Sequence, residues 1–142
     1  MSVPEHSPAA AGASAEAGSS GGLRRQDGAP ADAVVVLSTA PDVLLAKRIA
    51  HVLVEESLAA CAQVGGVMTS MYLWQGHLEG SEEIPLSFKT TAAALPALHR
   101  RLCELHPYEI PEFLVLGVPA GSAAYLDWVA GNVAAPAGSS RS

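Results

Sequence analysis

Two stretches of this chain have no polar face. Ala33 to Leu37 (AVVVL) and Phe113 to Val118 (FLVLGV) are short aliphatic runs without alternation, the pattern of strands covered on both sides. A sheet holding both needs apolar cover front and back. The segments between them say what is available. Ser38 to Asp42 (STAPD) supplies turn and cap chemistry, and Ala46, Ile49, Ala50, Leu53 and Leu58 then fall on one stripe, predicting a helix over about Asp42 to Ser57. Cys61 to Val67 (CAQVGGV) reads as a short strand broken at Gly65 and Gly66.

Ser70 to Leu78 follows as a strand with Tyr72 and Trp74 on one face and Met71 and Leu73 on the other. Ile84, Leu86 and Phe88 alternate with Pro85, Ser87 and Lys89 in a returning strand, and the acidic segment Glu79 to Glu83 is the expected hairpin turn. Thr90 and Thr91 are cap candidates for a helix carrying Leu95, Leu98, Leu102 and Leu105, which stops at His106-Pro107. Pro96 has to lie in its first turn. Tyr125, Leu126 and Trp128 mark a closing helix within Ala123 to Val133.

The order β-α-β-β-α-β is that of an α/β (α+β) ferredoxin-like split β-α-β sandwich, an antiparallel sheet with its helices on one face. Two main helices cover one face only. The other, with Met71, Leu73 and the aromatic pair, calls for self-association as a closed ring or symmetric dimer. Pro85 fits an edge or a bulge better than a ladder, because it lacks the donor.

At 142 residues and 49% hydrophobic content the chain is the size of one domain with an ample core. Residues 1–32 are rich in Ala, Gly, Ser and Pro without apolar period and read as a disordered tail, as do residues 134–142. The domain is expected over residues 33–133. No apolar run is long enough to span a membrane, and Met1 to Pro8 lacks the basic start and apolar region of a signal peptide. The expectation is a soluble cytoplasmic protein with no membrane partner. A formal charge of −6 argues against nucleic acid. Two cysteines, Cys61 and Cys103, are too few for a disulfide scaffold and read as reduced thiols.

The strings VVVLSTAPD, LAACAQVGGVMTSMYLWQG, LSFKTT, ELHPYEIPE and YLDWV occur in the order and at the spacing of the CutA divalent-cation tolerance family. The chain resembles that family over about Val34 to Val133. The resemblance implies a ferredoxin-like fold, a tight homotrimer similar in design to the PII signalling proteins, and a metal-binding or metal-responsive role with copper or another divalent cation as ligand. It carries His106 (of the HPY motif) and Cys61 (of LAAC) over as metal ligands, donors suited to copper or zinc. Ser38 stands where some members have a cysteine, and Leu105 where some have a second histidine. Cys103 falls on no motif position.

Each of these residues also has a plainer reading. His106 suits a helix C-terminus, and Cys61 between two alanines behaves as a small buried hydrophobe. Tyr72 and Trp74 read as interface or core aromatics. Glu104, Glu109 and Glu112 around His106 could join a hard-metal site or shape a cleft between subunits. His51, His77 and His99 read as isolated surface residues. The alternative function is a PII-like signalling or scaffold trimer that binds a small effector or protein at its subunit clefts, although no long loop stands between Leu78 and Ile84. GxSxG, HExxH and P-loop signatures are missing, so an enzyme is not expected.

Overall fold

The computed structural model describes residues 21–135; the tail expectations for residues 1–20 and 136–142 lie outside them. In chain order the elements are β1 (Leu23–Arg25), β2 (Ala33–Ala40), α1 (Val43–Glu55), β3 (Cys61–Val64), β4 (Met68–Trp74), β5 (His77–Thr91), a 3-10 turn (Ala92–Ala94), α2 (Leu95–Leu105), β6 (Leu114–Gly117), β7 (Ala120–Ser122) and α3 (Ala123–Gly131). The main sheet runs β3-β5-β2-β6, all antiparallel. With β4 set aside, that strand order and the β-α-β-β-α-β path make the ferredoxin-like arrangement.

Asp42 starts α1 by accepting the Leu45 N–H at 2.9 Å, satisfying one of the helix's free donors. Pro96 sits in the first turn of α2, where its missing N–H costs nothing. Buried Ala46, Ile49 and Leu53 of α1 and Leu98 and Leu102 of α2 meet Val36, Leu86 and Phe88 on one sheet face. Alternation puts Ala33 on the opposite face, where it joins Leu126 and Val129 of α3 in a second cluster. The closing helix therefore covers one end of the face that the two main helices leave bare. The rest of that face is open. β6 lies at the sheet edge with Leu114, Val115 and Leu116 about half exposed, so the expectation of full cover on both sides is not met within one chain.

Three further expectations are corrected. The hairpin turn is Gln75-Gly76, not Glu79 to Glu83. Both turn residues have positive φ, 50° and 81°, the two-residue geometry whose twist matches flanking strands, and Trp74 pairs directly with His77. The acidic segment instead lies inside β5, a 15-residue strand that pairs with β4 over its first half and with β2 and β3 over its second.

The N-terminal boundary also moves. Within the expected tail, β1 pairs with β7. The Gln26 side chain accepts from Ala33 N–H at 2.7 Å and donates to the Ala33 and Val118 carbonyls at 3.0 and 2.7 Å. Asp32 accepts the N–H groups of Asp27, Gly28 and Ala29. Composition missed this because the ordering comes from backbone pairing rather than from apolar burial.

Pro85 lies in β5 between β2 and β3, not at an edge. Its carbonyl accepts from Gly65 N–H at 2.9 Å, so its nitrogen also faces the β3 side, where β3 has ended at Val64. No ladder donor is lost. The proline ring packs so closely on Gly65 that a Cβ there would stand 2.6 Å from Pro85 Cγ. Gly65, the first glycine of the break, is thus a fit to the proline.

Candidate functional site

The β4–β5 arm presents Tyr72, Trp74, Glu79, Ser81 and Glu83 on one face, as their pairing register requires. The loop after α2 faces them with Tyr108, Glu109, Ile110, Pro111 and Glu112, and Thr39 closes the floor. The cleft between encloses about 830 Å³, within the range of small-molecule sites. Four carboxylates and three aromatic rings line it, and no lysine or arginine does.

Its geometry is fixed by hydrogen bonds. Glu83 accepts from the hydroxyls of Ser70 at 2.7 Å and Thr39 at 3.3 Å, which ties the arm to β2. Ser38 Oγ donates to the Glu112 carbonyl at 2.7 Å, which ties the loop to the same strand. Burial, followed by the charge of Glu83 and the Tyr72 phenol, pushes the Tyr108 phenol above its ordinary value.

His106 stands behind this loop at the C-cap of α2, only 7% exposed. Its Nε2 lies 2.7 Å from the Thr39 carbonyl and its Nδ1 accepts the Tyr108 N–H at 3.2 Å. That pattern assigns Nε2–H as donor to Thr39. The register explains why a histidine is needed. The Thr39 carbonyl points toward the β6 side, but β6 pairing ends at Leu37, so the imidazole replaces the missing strand. Both ring nitrogens are occupied.

Cys61 is a free, part-buried cysteine in β3, opposite Lys89, which is in turn opposite Val35. Two ladder spacings and four residues along β2 separate it from Thr39, roughly 15 Å. His106 and Cys61 are therefore not brought together. Among the described residues no three His, Cys, Asp or Glu side chains converge as a metal-holding group. These donors do not fit a closed metal site within one chain. Burial, and then the neighbouring Cys61, raises the Tyr125 phenol above its ordinary value.

Of the carboxylates weighed from sequence, Glu109 and Glu112 line the cleft, whereas Glu104 is paired with Arg101 at 3.1 Å outside it. Thr39, Glu79, Ser81 and Glu83 were not expected there. Once the turn is placed at Gln75-Gly76, alternation alone puts the last three beside Tyr72 and Trp74.

Residues 34–132 match the family described as CutA1 divalent ion tolerance protein. The divalent-cation tolerance protein CutA of Thermus thermophilus is 45% identical over 98 residues, covering 69% of this chain and 95% of that one. The protein of the same name from Salmonella newport is 43% identical over 107 residues, covering 75% and 93%. Among solved structures, CutA of Xylella fastidiosa superposes with a TM-score of 0.71 at 41% identity over 72% of this chain and 99% of that one. CutA of Synechococcus elongatus gives 0.72 at 38% identity over 79% and 96%.

Proposed function

The chain belongs to the CutA1 divalent ion tolerance family, and from that premise we propose that it serves divalent-cation tolerance as a cytoplasmic homotrimer. In this reading it is a binding module for copper or another divalent cation and performs no covalent chemistry. The observation that carries the homotrimer is the uncovered apolar surface. Leu114 and Leu116 continue the bare sheet face along the β6 edge, while Met71, Leu73 and Leu78 stand about 70% exposed on the arm. Contiguous apolar surface of this kind marks an association site, and an open edge strand needs covering. The scattered donor set points the same way, since a cation held at full coordination needs ligands from water or a second subunit. No helix of the described residues is long and apolar enough to cross a membrane.

Equilibrium dialysis of the full chain against Cu(II) and Zn(II) tests the cation half of the proposal. Binding at micromolar concentration is expected; a protein that retains neither metal overturns it.

The cleft favours a second reading, a PII-like signalling or scaffold trimer that binds a small effector. An acidic lining with Tyr72, Trp74 and Tyr108 suits a positively charged effector, through carboxylate pairing and cation–π contact. Native mass spectrometry of the purified protein would reveal a retained small molecule, and its loss in Glu83→Gln would assign it to the cleft.

A further inference from the structure

His99 and Cys103 lie one turn apart on α2, and the Sγ of Cys103 is 3.5 Å from the Nε2 of His99. From sequence alone His99 is an isolated surface residue and Cys103 falls on no motif position. We propose that this pair is a bidentate site for a soft divalent cation such as Zn(II), separate from the cleft and from His106 and Cys61.

The distance is the first support. Zinc–sulfur and zinc–nitrogen bonds of about 2.3 Å and 2.0–2.1 Å at a tetrahedral angle put the two donors about 3.5–3.6 Å apart. The pair, at 3.5 Å, has the separation that one bridging metal ion requires. The second support is that the imidazole is already held in position. Its ring meets Phe113 edge-on, with centroids 4.7 Å apart and planes at 62°, which limits the ring rotation a metal would otherwise have to freeze.

Helix stability does not explain the two residues. Both are among the poorer helix formers, His99 is exposed and Cys103 only part-buried, and a thiol–imidazole contact at an accessible surface adds little. Accessibility also leaves two coordination positions for water or for a soft ligand that delivers the metal. Of the neighbouring charges on α2, Arg101 is neutralised by Glu56 and Glu104, and Arg100 is the remaining cation next to the pair. Binding breaks the S–H bond, forms the sulfur–metal bond and releases one proton to the buffer, with no change of oxidation state. Thiolate with imidazole selects zinc and other soft ions over magnesium and calcium.

The site needs no trimer, but its purpose rests on the divalent-cation reading. Co(II) is the probe, titrated into the full chain under a non-thiol reductant, with sulfur-to-cobalt charge-transfer absorption as readout. The band is expected in wild type and in Cys61→Ser, and lost in Cys103→Ser and His99→Ala. His99 is exposed and Cys103 part-buried, and an unchanged circular dichroism spectrum verifies the folding of each variant. A band that survives in Cys103→Ser, or that vanishes only in Cys61→Ser, overturns the site while leaving cation binding intact. A wild type that shows no band overturns the site, and one that also retains no Cu(II) or Zn(II) on dialysis overturns the wider reading.

Discussion

Replacing His106 by alanine should destabilise the fold by about 3 kcal/mol, which is on the order of 100-fold in the folding equilibrium. The figure has two parts. The buried Thr39 carbonyl loses the Nε2–H donor at 2.7 Å, and an unsatisfied buried acceptor costs about 1–3 kcal/mol. Deleting a ring that is 7% exposed also leaves a void, which typically costs about 1 kcal/mol or more when the site cannot collapse. The Tyr108 N–H loses its acceptor too, but Tyr108 is exposed and water can replace it. His106→Gln can present an amide N–H to Thr39 and should recover about half the loss. The assay is the urea midpoint at fixed protein concentration, because association couples to stability. A His106→Ala midpoint within about 0.5 kcal/mol of wild type would refute the role assigned to the imidazole.

The remaining predictions are local. Gly65→Ala should cost about 1–3 kcal/mol, because its Cβ would meet Pro85 Cγ at 2.6 Å, and the double variant with Pro85→Ala should regain most of that in a thermal melt. Gln26→Ala should cost about 1–2 kcal/mol by removing the partner of Ala33 N–H, with faster hydrogen exchange confined to β1 and its neighbours. Hydrogen bonds from Arg101 hold the Glu56 carboxyl below its ordinary 4.5. Its contribution to stability is therefore complete above that value and lost as pH falls through the lowered one. The stability difference between wild type and Glu56→Gln should shrink across that acid window and stay constant above it.

The helices were legible because their signals are local: Asp42 before the Ala46–Ile49–Leu53 stripe, and Pro96 ahead of Leu98 and Leu102. So was the β-α-β-β-α-β order. What sequence could not supply was pairing. The turn at Gln75-Gly76 lacks the Asn-Gly or Asp-Gly signature, and the conspicuous acids of Glu79 to Glu83 give the stronger local turn signal. That shift of register hid Glu79, Ser81 and Glu83 from the cleft. Gln26 reads as one polar residue in a low-complexity tail, because its backbone-like bond to Val118 depends on a segment 92 residues away. His106 was recognised as notable, but its two bonds depend on where β6 stops. His99 and Cys103 were four residues apart on a helix correctly placed, and that spacing was a usable signal of contact.

The most direct test of the central claim is the mass of the full chain in solution by multi-angle light scattering, without added metal and again with one equivalent of Zn(II). A value three times the 14.5 kDa of one chain in both conditions is predicted, because the bare sheet face, the β6 edge and the apolar arm need cover whether or not a cation is bound. A monodisperse 14.5 kDa species would contradict it, leaving those surfaces open to water and the homotrimer without support.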